Sequence, residues 1–118
     1  MKKIIVILFL FFSVSVADAQ WGGINTISGV GEVSGSATAK QLPTVTGGLC
    51  LVKAENGNAG DVYVGISGVT VADGTTDTTS GIELSASETT GWMPCTNLNN
   101  FYIITDNAGD DITYMVIK

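Results

Sequence analysis

From residue 49 onward, apolar side chains recur at every second position, the period of a strand with one buried face. Leu49, Leu51 and Lys53 alternate with Cys50, Val52 and Ala54; after "ENGNAG", Val62, Val64 and Ile66 share one side with Tyr63 between them. The spacing predicts a hairpin closed by a Gly/Asn loop. A second hairpin is predicted from "FYIIT" and "DITYMVI", joined through "DNAGD". The tetrapeptide "NAGD" thus stands at both reversals, residues 58–61 and 107–110. Asn and Gly tolerate positive φ, and an Asp or Asn opening a turn bonds the backbone two residues on, so turn chemistry accounts for both copies.

Weaker alternation marks further strands. "GEVSGSATAKQL" reads as one or two, Val69-Thr70-Val71 as a short one, and "GIELSA" and "TTGWMP" flank a turn region. Pro94 places its strand at an edge or an end. "ADGTTDTTSG" is a polar loop, and "NLNN" before Phe101 forms one helical turn or a tight bend. No longer stretch combines helical spacing with caps. The Gly-rich "QWGGINTISGVG" reads as a flexible arm. The expected fold class is all-β: a single antiparallel β-sandwich or jelly-roll-like barrel of about six to eight short strands. Its domain plan is a leader at 1–19, an arm at 20–36 and a sandwich at 37–118.

The leader expectation rests on "MKKIIVILFLFFSVSVADAQ": two lysines, an apolar run over residues 4–16, and the small-x-small site Ala17-Asp18-Ala19. That is the pattern of a secretory signal peptide cleaved after Ala19. The run falls short of the ~20 apolar residues that cross a bilayer. No second such run follows, so no membrane span is expected once the leader is removed, and the expected location is secreted, periplasmic or extracellular.

Leader removal shifts the charge. Lys40, Lys53 and Lys118 then face ten acids, a net charge of −7, with no arginine in the chain. Phosphate recognition depends on Arg and Lys, so anionic membrane surfaces are poor partners and no nucleic-acid partner is expected. In an oxidising compartment Cys50 and Cys95 read as a disulfide, the alternative being two buried thiols.

The second predicted hairpin is apolar on both sides. Phe101 and Ile103 oppose Tyr102 and Ile104; Ile112, Tyr114 and Val116 oppose Met115 and Ile117. Only one face of each sheet in a sandwich meets the core, so the spare face needs a covering loop or another subunit. Tyr102, Ile104, Met115 and Ile117 are the candidate interface residues, with Trp21 of the arm exchanging contacts between copies.

Catalytic chemistry is poorly supplied. The chain has no histidine, which excludes Ser–His–acid and Cys–His nucleophiles. Glu83 and Glu88, the nearest thing to a carboxylate pair, read as solvated. "GGINTISGVG" lacks the lysine and helix of a phosphate loop. Zinc lacks ligands. "DNAGDD" and the Asp73/Asp77 loop are weak calcium candidates, read as acidic turns without an ion. Neither an enzyme, a metal site nor a cofactor is expected. Trp92, beside Pro94 and Cys95, is expected to pack over the disulfide.

The order "TAKQLP", "LVKAENGNAGDVYVGISGVT", a Gly-x-x-L turn with an acid beyond it, and "NLNNFYIITDNAGDDITYMVI" resembles small β-sandwich modules of tailed-phage virion proteins, of head-fibre, decoration and tail-associated type. Gln41-Leu42-Pro43, residues 62–70, residues 81–84, Glu88 and residues 98–102 carry the resemblance, which spans roughly residues 37–117. It implies a non-enzymatic structural or assembly protein that binds itself or a larger particle, located in the virion. The alternative is a bacterial secreted or cell-surface binding module for glycans or surface adhesion. That module would use loops 55–61, 72–81 and 106–111, with Asn58, Asp61, Asp106, Asn107 and Asp110 as candidate contacts.

Overall fold

The computed structural model describes residues 26–118. The leader and Trp21 lie outside the described residues. Eight strands form two four-stranded antiparallel sheets, a small β-sandwich. They are β1 (Ile27–Ser34), β2 (Lys40–Gln41), β3 (Leu49–Ala54), β4 (Val62–Gly65), β5 (Ile82–Leu84), β6 (Met93–Pro94), β7 (Tyr102–Thr105) and β8 (Asp111–Ile117). The first sheet runs β1-β8-β3-β6 and the second β2-β7-β4-β5.

These orders correct both predicted hairpins. β3 pairs with β8 and β6, whereas β4 pairs with β7 and β5. Likewise β7 lies in the second sheet and β8 in the first. Each "NAGD" segment therefore carries the chain from one sheet to the other. The same holds for β1/β2, β3/β4, β5/β6 and β7/β8, each of which contributes one strand to each sheet, whereas β4 and β5 are consecutive and paired within the second sheet. The architecture is a four-stranded ribbon folded once, with its four corners along one end. Loops this long can close a hairpin or bridge the ~10 Å between packed sheets, and local periodicity does not distinguish the two.

Alternation decides the core. Cys50, Val52 and Ala54 of β3 and Ile112 and Val116 of β8 are fully buried, facing Val62, Val64 and Ile103 of the second sheet. Leu98 joins them from a 3-10 turn, Leu98–Asn100, capped by the Asn97 side chain. That turn matches the bend expected at "NLNN". Val69-Thr70-Val71 forms no strand; Thr70 makes only an isolated bridge to Ser80. The Cys50–Cys95 disulfide is present and ties β3 to the end of β6. Pro94 sits in β6, an edge strand, as its missing N–H requires.

The arm is corrected over most of its described residues, 26–36. Residues 27–34 are β1, fully registered on β8, with one bulge between Ile27 and Gly29. Its inward positions Gly29 and Gly31 are filled from elsewhere. A Cβ at Gly29 would meet Val45 Cγ1 at 2.8 Å, and one at Gly31 would meet the Tyr114 hydroxyl at 2.7 Å. These glycines admit neighbouring side chains; they do not loosen the strand.

Candidate functional site

The five loop residues Asn58, Asp61, Asp106, Asn107 and Asp110 come together at the folded end, where the two "NAGD" corners lie side by side. The Asp110 carboxylate is 1% exposed. Its Oδ1 accepts the Ala59 N–H at 2.8 Å and the Gly60 N–H at 3.4 Å; its Oδ2 accepts the Asn107 N–H at 3.2 Å and Nδ2 at 3.0 Å. Burial pushes this carboxyl up, but the N–H groups of Ala59, Asn107 and Gly60 outweigh it and hold it below the ordinary Asp range. The Asn58 amide donates to the Asp111 carbonyl at 2.9 Å and accepts the Asp111 N–H at 2.8 Å. Asp106 Oδ2 accepts the Asp61 N–H at 3.0 Å, and the Asp106 N–H donates to the Asp61 carbonyl at 3.1 Å.

The two copies thus do different work. In the first, Gly60 presses against the second: a Cβ there would lie 2.7 Å from Asp106 Cβ and Asn107 Nδ2. In the second, Gly109 faces open space, and Asp110 is the buried acceptor. Across the corners the Asp110 carboxylate and the Asn58 amide are engaged at both of their polar atoms. Among the described residues no three Asp, Glu or Cys side chains converge as a metal-ligand set. Loop 72–81 is remote from this cluster, because β4 leads away from the corners toward the opposite end. There Asp77 holds the loop. It accepts the Thr79 N–H at 2.9 Å and the Ser80 hydroxyl at 3.0 Å, which lower its carboxyl, and Thr70 donates to it as well.

The four described interface candidates separate onto opposite sides of the molecule. Tyr102 and Ile104 lie on the outer face of the second sheet; Met115 and Ile117 lie on that of the first. The two outer faces have different fates. On the second sheet, the segment after β4 turns back over the strands. Val69 is 2% exposed, and Cβ atoms at Gly65 and Gly81 would meet its Cγ2 at 2.7 and 2.8 Å. Tyr63, on the same face, is buried with it. Burial, and then the charges of Asp106, Glu83 and Asp61, push the Tyr63 phenol up.

Among the described residues no such loop covers the outer face of the first sheet. The register sets Ile27, Ile117 and Leu49 in one row, and Val30, Met115 and Leu51 in the next. Ile27 and Val30 are each 59% exposed, and the other four are half-buried. Glu32, Thr113 and Lys53 make the third row, with both charged groups exposed. Sequence reasoning found Met115 and Ile117 but missed Ile27, Val30, Leu49 and Leu51. Their sharing of one face depends on β1 and β3 both flanking β8.

Trp92, 47% exposed one residue before β6, does not pack into the core as expected. Met93 takes the inward position and packs on the core, so alternation turns the indole outward. Between edge strands β5 and β6, a cavity of about 290 Å³ opens among Val64, Ile82, Met93 and Phe101. Among the described residues no helix is long and apolar enough to cross a membrane. No known family model, curated protein or solved structure matches the chain.

Proposed function

We propose that this chain is a non-enzymatic structural protein, exported by its leader, that assembles through the outer face of the first sheet with itself or with a larger particle. The resemblance of its sequence to virion decoration and fibre modules implies the same structural role. The observation that carries the reading is the six-residue apolar face formed by Ile27, Val30, Leu49, Leu51, Met115 and Ile117. Contiguous apolar surface of this kind on a small domain marks an interaction site. The contrast between the two sheets sharpens the point, since the second carries its own cover in Val69. The disulfide suits an oxidising, extracytoplasmic location.

Met115→Glu on residues 20–118 tests the reading. Charge at the centre of the face is expected to abolish association, seen by sedimentation of the chain and by its retention on particles from its source, with the melting temperature unchanged within a few degrees. Association unaffected by the substitution overturns it. A glycan-binding module is the second reading, favoured by one observation, the exposed Trp92 ring. A glycan array probed with the wild-type chain and with Trp92→Ala tests it: binding by the former and not the latter supports that alternative.

A further inference from the structure

We propose that the occupant of the open face is a second copy of this chain, packed face to face about a two-fold axis running along β8. The inference rests on the assembly reading above and names the partner. Its basis is the arrangement of the face about its central strand. β8 lies between β1 and β3, so each row is a triplet centred on β8: Ile27–Ile117–Leu49, Val30–Met115–Leu51 and Glu32–Thr113–Lys53.

An axis in the interface plane and parallel to β8 exchanges the β1 and β3 sides while preserving position along the strand. Met115 and Ile117 then meet their own counterparts. Val30 lies over Leu51 of the second copy, and Ile27 over its Leu49. In the polar row the same operation sets Glu32 over Lys53 of the second copy, and Lys53 over its Glu32, two opposite-charge pairs from one pair of residues. Such an interface is isologous: one patch complements itself.

The alternative in-plane axis, perpendicular to the strands, fails on charge. It keeps β1 over β1 and β3 over β3 of the second copy, so Glu32 meets no Lys53 wherever the axis is placed, and centred on the middle row it lays the charged row against Ile27, Ile117 and Leu49. Flanking charges of this type fix orientation more than they add affinity, the role assigned to them here. Sheets stacked this way sit ~10 Å apart with strands within about 30° of parallel, the ordinary aligned geometry.

Charge exchange tests the proposal on the oxidised chain, residues 20–118, by sedimentation velocity with one partner isotopically labelled for native mass spectrometry. Glu32→Lys places Lys over Lys in the self-pair, and Lys53→Glu places Glu over Glu. Each alone is expected to weaken self-association by about tenfold or more. Mixed together, the two variants restore both opposite-charge pairs and form a 1:1 heterodimer of wild-type affinity. The double variant in one chain also restores the homodimer. A mixture no tighter than either variant alone overturns the proposal, as does a wild-type chain monomeric at about 100 μM. Circular dichroism and the absence of free thiols confirm that each variant is folded. If the exchange fails while Met115→Glu still abolishes particle retention, the two-fold dimer falls and the assembly reading stands. If Met115→Glu changes nothing, the assembly reading falls as well.

Discussion

Asp110 and Gly60 show how one repeated tetrapeptide serves two purposes. Gly60 is the site where the corners touch, and a methyl group there collides with the Asp106 Cβ and the Asn107 amide. Gly60→Ala is therefore expected to destabilise the fold by about 2 kcal/mol in urea unfolding. Gly109 has open space and no positive φ. Gly109→Ala is expected to be neutral or to stabilise by about 0.5 kcal/mol through the unfolded chain. Equal effects at the two positions would contradict the division of labour. Asp110 also sets an acid limit. Its folded carboxyl is held below the unfolded value near 3.9, so its contribution is present above that value and is lost as pH falls through the folded value. Thermal stability is expected to hold from neutral pH to about 4 and then to fall. Asp110→Asn, which turns an amide N–H₂ or a lone acceptor toward four donors, costs about 3 kcal/mol at pH 7 and flattens the acid slope. Stability that titrates identically in wild type and variant removes Asp110 from this role.

Among the elements, β6, like β2, is only two residues at a sheet edge, and the disulfide fastens it. Cys50 and Cys95 are 45 residues apart in the chain, so on the chain-entropy account their bond stabilises the fold by about 4 kcal/mol. Replacing both with Ala is expected to lower stability by about that amount and to release β6 and its neighbouring corner first. Hydrogen exchange would locate the loss; protection lost uniformly across both sheets would contradict the local account. β1 shows why an element can escape sequence reasoning. Its glycines were read as flexibility because composition carries no record of what fills the space beside them. Val45 and Tyr114, which fill it, lie far along the chain from Gly29 and Gly31. Pro94, by contrast, announced an edge because its missing N–H is a property of the residue itself.

At the scale of the whole molecule, six of the seven pairs of consecutive strands straddle the sandwich, β4 and β5 alone being neighbours in one sheet, so neither sheet is built from a continuous stretch of chain. Opening one sheet exposes the core face of the other and pulls on the corners. A single cooperative transition is expected, with far-ultraviolet dichroism and tryptophan fluorescence superimposing in urea. Separate transitions would mean that the sheets unfold independently. The same topology explains why the four interface candidates parted company: β7 and β8, adjacent in sequence, occupy different sheets, so their outward side chains point away from each other.

Alternation along β3, β4, β7 and β8 was enough to sort their side chains onto opposite faces, because a strand's period is local and independent of its partner. A count of two cysteines was enough to pair Cys50 with Cys95, and period-two alternation with frequent turn signals was enough to announce an all-β chain. Strand partnership was not legible, because a loop of five to seven residues closes a hairpin or crosses between sheets with the same Asn, Gly and Asp. The crossing is decided by contacts remote in sequence, Asp110 on the backbone of residues 59 and 60 above all. The apolar face exists only once β1 and β3 are laid beside β8, a juxtaposition the folded chain alone creates.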